Sequence, residues 1–168
     1  GKNSKKFFTN YNITSPVEDE FDADVFEVEL KINEQEKKKK KVILYGSSTF
    51  RLWDDASTDL SLSNLINLGF GGATLEACRV YFNRLIVNEN PDIIILYAGD
   101  NDIGNGSSIR DVVNQFDLFV DQMSENLPNT KGFFISIKPS PFRRNKLIII
   151  KKTNLKIKKI IYNNSNWE

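Results

Sequence analysis

What most constrains the fold of this chain is a regular alternation that begins at Val42. Short apolar runs recur at 42–45, 65–68, 93–98 and 133–137, rich in Ile, Leu and aromatic residues. Helical patterns lie between them. Leu75, Cys78, Phe82 and Leu85 make one apolar face. Val112, Phe116, Phe119, Met123 and Leu127 make another, opened by Ser108 with Asp111 three residues on, the spacing of a capping box. Strands that alternate with helices imply βαβ units and a buried parallel sheet. With right-handed crossovers, the expected architecture is α/β: a three-layer α/β/α sandwich around a parallel, flavodoxin-like sheet. At 168 residues the chain is most economically one domain, long enough to bury a real core.

Charge and composition narrow the function classes. A formal net charge of +1 argues against a dedicated nucleic-acid binder, which carries a strong basic excess. The longest apolar run, Ile93 to Ala98, falls well short of the ~20 residues of a membrane-crossing helix, so no membrane span is expected. Cys78 is the single cysteine, which rules out an intrachain disulfide and leaves the redox compartment open. Its place in a helical pattern reads as a buried structural thiol. Gly1 opens the chain without a signal-peptide pattern, and cytoplasmic and secreted locations both stay open. Histidine is absent altogether.

Outside the alternation the signals are weaker. Residues 1–20 read as a polar N-terminal extension with aromatic islands at Phe7, Phe8 and Tyr11 and Pro16 as punctuation. Residues 21–36 fit a strand through Phe26, Val28, Leu30 and Ile32, or a helical face through Phe21, Val25, Val28 and Ile32. The run Lys37–Lys41 reads as a solvated connector. Toward the C-terminus, Leu147, Ile150, Ile157 and Ile161 mark a basic amphipathic helix. Its lysines would suit a membrane surface or a nucleic acid, but a sheet-packing helix with a solvated outer face is the preferred reading.

In open parallel sheets the site lies outside the carboxyl ends of the strands. After the first run stands Gly46-Ser47-Ser48-Thr49, after the second Asn67 to Thr74 with the glycine cluster Gly69-Phe70-Gly71-Gly72, after the third Gly99-Asp100-Asn101-Asp102. Each segment alone has an ordinary explanation. A Gly-Ser pair is commonly a turn with a helix N-cap, and a glycine cluster is commonly a loop with positive φ or tight packing. The glycine cluster lacks the Walker lysine and the dinucleotide fingerprint. The Asp-Asn-Asp stretch could be a turn or a set of oxygen ligands for a cation. Taken together they supply a hydroxyl, free backbone N–H groups and a carboxamide, the set that acyl transfer needs.

These blocks resemble those of the SGNH hydrolases, the GDSL-type esterase and lipase superfamily, over about Phe21 to Asn154. "YGSSTFRLW" matches the first block, with Ser47 where the name-giving aspartate stands. "NLGFGGATL" matches the second and "YAGDNDIGNG" the third. "ISIKPSPFR", 135–143, is similar to a stretch of one esterase branch with the same Gly-Ser-Ser variant. The resemblance favours helix over 21–36 and makes 21–168 the hydrolase-like domain. It implies Ser48 as nucleophile, with the Ser48 N–H, the Gly72 N–H and the Asn101 side chain as oxyanion donors. Asp102 would brace the loop. No cofactor or metal is implied.

The departure lies at the far end. The family's base is a histidine in an Asp-x-x-His block after one further strand, and this chain has none. The expectation is a domain truncated at its C-terminus and lacking its last strand, with the strand at 133–137 on an open sheet edge and self-association through that edge. The leading reading is a serine ester hydrolase for a small acyl or acetyl ester, carbohydrate-linked ones included, inactive or very weak without its base. The rivals are a non-catalytic acyl- or carbohydrate-binding domain and a flavodoxin-like phosphate-binding module. The expected partner is a small-molecule ester, not a nucleic acid.

Overall fold

The computed structural model describes residues 16–34 and 41–168; the aromatic islands at 7–11 and the lysines at 37–40 lie outside them. The order of elements is α1 (Pro16–Glu34), β1 (Val42–Gly46), α2 (Ser48–Arg51), α3 (Ala56–Asp59), β2 (Leu65–Gly69), α4 (Leu75–Val80), α5 (Phe82–Leu85), β3 (Ile93–Tyr97), α6 (Asp100–Gly104), α7 (Ile109–Asn126), β4 (Lys131–Phe134) and α8 (Leu147–Tyr162). The four strands form one parallel sheet in the order β2-β1-β3-β4. The central strand β1 is buried along its whole length, as expected of a strand covered on both faces.

The two faces are covered unequally. Ile43, Tyr45, Ile66, Leu68, Ile94 and Leu96 point into the larger core, which also receives side chains from α1, α4, α5, α6, α7 and α8. Val42, Leu44, Leu65 and Tyr97 point the other way and, among the described residues, meet Phe50 of α2 and Ala56 of α3, with Trp53 and Leu62 in the loops and Ile93 and Ile95 of β3 beside them. The expected three layers are present, but among the described residues one outer layer consists of two single-turn helices.

Helix α1 buries Phe21, Val25 and Val28 while Phe26 and Leu30 are exposed, so the helical period governs the stretch that sequence left ambiguous. The face Leu75-Cys78-Phe82-Leu85 is buried as expected, on two short helices that meet at Tyr81. Ser108 Oγ accepts the Asp111 N–H at 3.1 Å and caps α7. Lys41, read as the end of a solvated connector, is instead buried. It pairs with Glu89, and its N–H donates to Asp92 Oδ2 at 2.9 Å. Both acids stand just before β3, so the lysine locks the start of β1 to its neighbour.

The last strand departs from expectation in place and in exposure. It occupies 131–134 rather than 133–137, because the Ile137 backbone pairs with a side chain. Ile137 N–H donates to Asn154 Oδ1 and Asn154 Nδ2 donates to Ile137 O, both at 2.9 Å. Its outer edge is not open. Gly132 N–H donates to Asn166 O at 2.8 Å, Glu168 N–H to Gly132 O at 2.9 Å and Phe134 N–H to Glu168 O at 2.8 Å. This parallel pairing seats the buried Trp167 indole over Gly132, where a Cβ would come within 2.5 Å of the ring. The expected bare edge is therefore closed, and self-association through it loses its ground. No helix among the described residues is long and apolar enough to cross a membrane.

Candidate active site

Because all four strands are parallel and Gly46 is in register with both Gly69 and Tyr97, the three loops named from sequence leave the sheet at one edge. The first begins at Gly46, whose φ is +134°. A Cβ there would lie 2.0 Å from Tyr97 O, so the crossing of β1 against the end of β3 admits only glycine. Ser47 is buried, extended, and donates its N–H to Tyr97 O at 3.0 Å. Ser48 follows as the first residue of α2 and is half-buried. Its N–H, an orphan donor of a helix's first turn, and its Oγ have no hydrogen-bond partner among the described residues.

The second loop is tied to the first by Phe70 N–H donating to Gly46 O at 2.9 Å. Gly72 sits there with φ +70°, exposed, its N–H unpaired among the described residues. Asn67, half-buried on β2, holds the same region together. Its Nδ2 donates to Phe50 O at 2.6 Å and Trp53 O at 3.2 Å, while its Oδ1 accepts the Gly69 N–H at 3.1 Å. Sequence reading assigned Asn67 no role. The only signal available was a lone carboxamide inside an apolar run.

The third loop reaches back over the second. Asn101 Nδ2 donates to Ala73 O at 3.1 Å, next to Gly72. A carboxamide has two N–H donors, so this bond leaves one unused. Asp102 is buried, with both carboxylate oxygens 3.1 Å from the Leu75 N–H, and so clamps the start of α4. Burial pushes its carboxyl up to about 6, opposed by the Leu75 and Asp102 N–H groups and aided slightly by Glu76 and Asp100. Behind it, Cys78 is wholly buried and its thiol is raised, first by burial and then by the Asp102 charge. That is the inert environment expected of a structural thiol.

Arg143 is a second residue whose part was not read from sequence. Its Nε donates to Asp100 Oδ1 at 2.9 Å, and its guanidinium lies where a Cβ on Gly104 would stand, 2.2 Å from the Arg143 carbon. The 135–143 stretch thereby grips α6, the helix that carries Asn101. A polar cleft of about 410 Å³ lies nearby, lined by Glu20, Thr74, Glu76, Asp102, Asp111 and Gln115 among others. Asp102 lines it; Ser48, Gly72 and Asn101 do not. No group of three or more His, Cys, Asp or Glu among the described residues could hold a metal ion.

Among solved structures, the chain is similar to a GDSL-like lipase from Bacteroides thetaiotaomicron, with 19% identity and a TM-score of 0.65 over 85% of this chain and 72% of that one. It is also similar to a lipase/acylhydrolase from Enterococcus faecalis, with 17% identity and a TM-score of 0.60 over 74% and 72%. An acetyl xylan esterase aligns with 18% identity and a TM-score of 0.59 over 73% of each chain. At such identities these likenesses speak for the fold. No curated protein sequence matches. The GDSL-like Lipase/Acylhydrolase family model matches residues 45–166, from the last side chain of β1 to the segment that pairs with β4, and so takes in all three loops at the sheet edge. By that match the chain belongs to the GDSL-like lipase/acylhydrolase family.

Proposed function

We propose that this acylhydrolase-family chain is a serine ester hydrolase in which Ser48 forms an acyl-enzyme. The observation that carries the reading is the delivery of Ser48, Gly72 and Asn101 to one sheet edge by three adjacent parallel strands, with two backbone N–H groups that have no partner among the described residues. Ser48 Oγ attacks the ester carbonyl carbon, and the carbonyl oxygen becomes an oxyanion. The Ser48 N–H, the Gly72 N–H and the second N–H of Asn101 stabilise that charge, each donor being worth roughly 3 kcal/mol in the transition state. The C–O bond to the alcohol then breaks, and water releases the acid from Ser48. A small acyl ester is the substrate class, with a carbohydrate-linked acetate favoured by the likeness to an acetyl xylan esterase.

The step that these 168 residues lack is removal of the serine proton, since they contain no histidine. Asp100 is held by Arg143 and Asp102 by the Leu75 N–H, so neither carboxylate replaces it. Loss of the histidine in a comparable serine hydrolase costs roughly 10⁶-fold in turnover. Hydrolysis of a nitrophenyl acetate by these residues is therefore expected barely above background. Added imidazole should raise it, and Ser48→Ala should erase the rise. A rise of equal size in Ser48→Ala would remove Ser48 from the mechanism. Brisk Ser48-dependent turnover without imidazole would mean that another group takes the proton.

A further inference from the structure

The basic helix α8 has an outer face unlike the solvated one expected of it. Its buried side chains are Ile150, Thr153 and Ile157, which pack toward α7 and the larger core. Opposite them stand Ile148, Leu155 and Tyr162, seven residues apart and thus stacked on one line of the helix. They are 68%, 63% and 90% exposed. Lys151 and Lys158 flank that line on one side, Lys152 and Lys159 on the other, as 100° per residue dictates. None of these four lysines makes an ion pair among the described residues. The turn that leads into the helix adds Phe142, 95% exposed, one residue before the Arg143 that grips Asp100.

Three exposed apolar side chains in a row between two lines of unpaired lysines are costly in water and suited to one kind of surface. An interfacial helix puts its apolar line into the boundary between headgroups and acyl chains, and lysine stems rise beside it to keep their ammonium groups among anionic headgroups. From Lys138 to Lys159 the sequence holds nine Lys and Arg and no Asp or Glu. The rest of the chain is left with fourteen cations against twenty-two acids. The positive charge is therefore local, which explains why a net charge of +1 concealed it. The chain's own residues 1–15 are poor candidates to cover this face, since they carry three lysines and no acid. A nucleic acid would satisfy the lysines but would leave Ile148, Leu155 and Tyr162 without a function.

We propose that the outer face of α8 is a docking surface for an anionic lipid bilayer, with Ile148, Leu155 and Tyr162 entering the interface and the flanking lysines meeting the headgroups. The surface includes none of Ser48, Gly72 and Asn101, so it holds or falls independently of the esterase reading. The test is sedimentation with vesicles of phosphatidylserine and phosphatidylcholine in equal parts, and with phosphatidylcholine alone. The chain should sediment with the mixed vesicles only, and lose them in high salt. Lys152→Gln with Lys159→Gln should lower the partition about 30-fold, at ~1 kcal/mol per lysine. Leu155→Ser should lower it about tenfold with the charge intact, and Ser48→Ala should leave it unchanged. Failure to sediment with mixed vesicles overturns the proposal. So does binding that Leu155→Ser leaves untouched, particularly if a DNA duplex binds equally well, because that is a bare polyanion site. A vesicle-free dimer dissolved by Leu155→Ser would assign the face to a second copy of the chain and overturn it too.

Discussion

The two faces of the sheet solve the same problem with different materials. On one face, Ile94 is completely buried beneath long helices and Phe119 meets Tyr45, Phe82 and Trp167 with ring centroids 6.2, 5.3 and 5.9 Å away. On the other, the next residue, Ile95, is only half-buried, as is Phe133, its partner on β4; Ile135 beyond them is 44% exposed. The thick face holds its helices by interdigitated apolar side chains. The thin face holds α2 through the one buried side chain Phe50 and through Asn67, whose carboxamide bonds the Phe50 and Trp53 carbonyls. At the thick face the corresponding clamp, Asp102 on the start of α4, is a carboxylate and therefore titrates. The difference teaches that the site's edge is anchored deeply from one side and only lightly from the side that carries Ser48.

Four substitutions would break or sharpen that contrast, beginning with the largest effect. Ile94→Ala should cost about 2–5 kcal/mol in urea unfolding, because the large core cannot collapse around the loss. A cost below that of Ile95→Ala would reverse the assignment of faces. Asp102→Asn should come next, through pH. Its folded-state value of about 6 lies above the ordinary 3.8, so the fold disfavours the charged form. The associated stability is full below about pH 4 and is lost as pH rises through 6, up to about 3 kcal/mol at 1.36 kcal/mol per unit. Thermal unfolding of wild type and variant at pH 4 and pH 7 should therefore show the variant gaining relative ground at pH 7; parallel curves would contradict the burial argument.

Asn67→Ala should cost about 1–2 kcal/mol, by leaving the Gly69 N–H without its acceptor and the Phe50 and Trp53 carbonyls with their backbone donors alone. Unlike Asp102→Asn, its effect should not change between pH 4 and 7. Amide exchange should quicken in 48–53 before the large core responds; uniform quickening would mean that the clip is not local. The smallest effect belongs to Ile95→Ala, about 1 kcal/mol by equilibrium urea unfolding, since that side chain is only partly buried to begin with. A cost equal to that of Ile94→Ala would mean that the thin face is better covered than Phe133 and Ile135 suggest.

Much of this was written in the sequence's periods. The apolar runs located β1, β2 and β3 because strand burial is local and repeats every residue or every second one, while β4 lies two residues earlier than its run. The helical faces of α4, α5 and α7 followed from the 3.6-residue period. The glycines at 46, 72 and 99 marked turns because positive φ is a property of one residue. The three loops at the sheet edge were therefore legible one by one, and their common edge followed from the parallel order. Helix α8 shows where the period stops being enough. Its apolar residues fall on two opposite faces, and the pattern names both without saying which one the core takes; Leu147 was assigned to the core and is exposed.

What only the tertiary structure decided are the contacts between residues far apart in the chain. Asn67 bonding Phe50, Arg143 gripping Asp100, Asn154 capturing the Ile137 backbone and Trp167 closing the edge of β4 each span from 17 to 43 residues, and neither partner announces the other. A polar side chain in a sequence specifies how many hydrogen bonds it can make, not where the matching groups will be. The sequence by itself determined a parallel α/β sheet with a serine, a glycine loop and an asparagine at one edge. How thickly each face is covered, which edge is closed and which side of α8 meets the outside were decided only when packing chose among faces that local periodicity leaves equivalent.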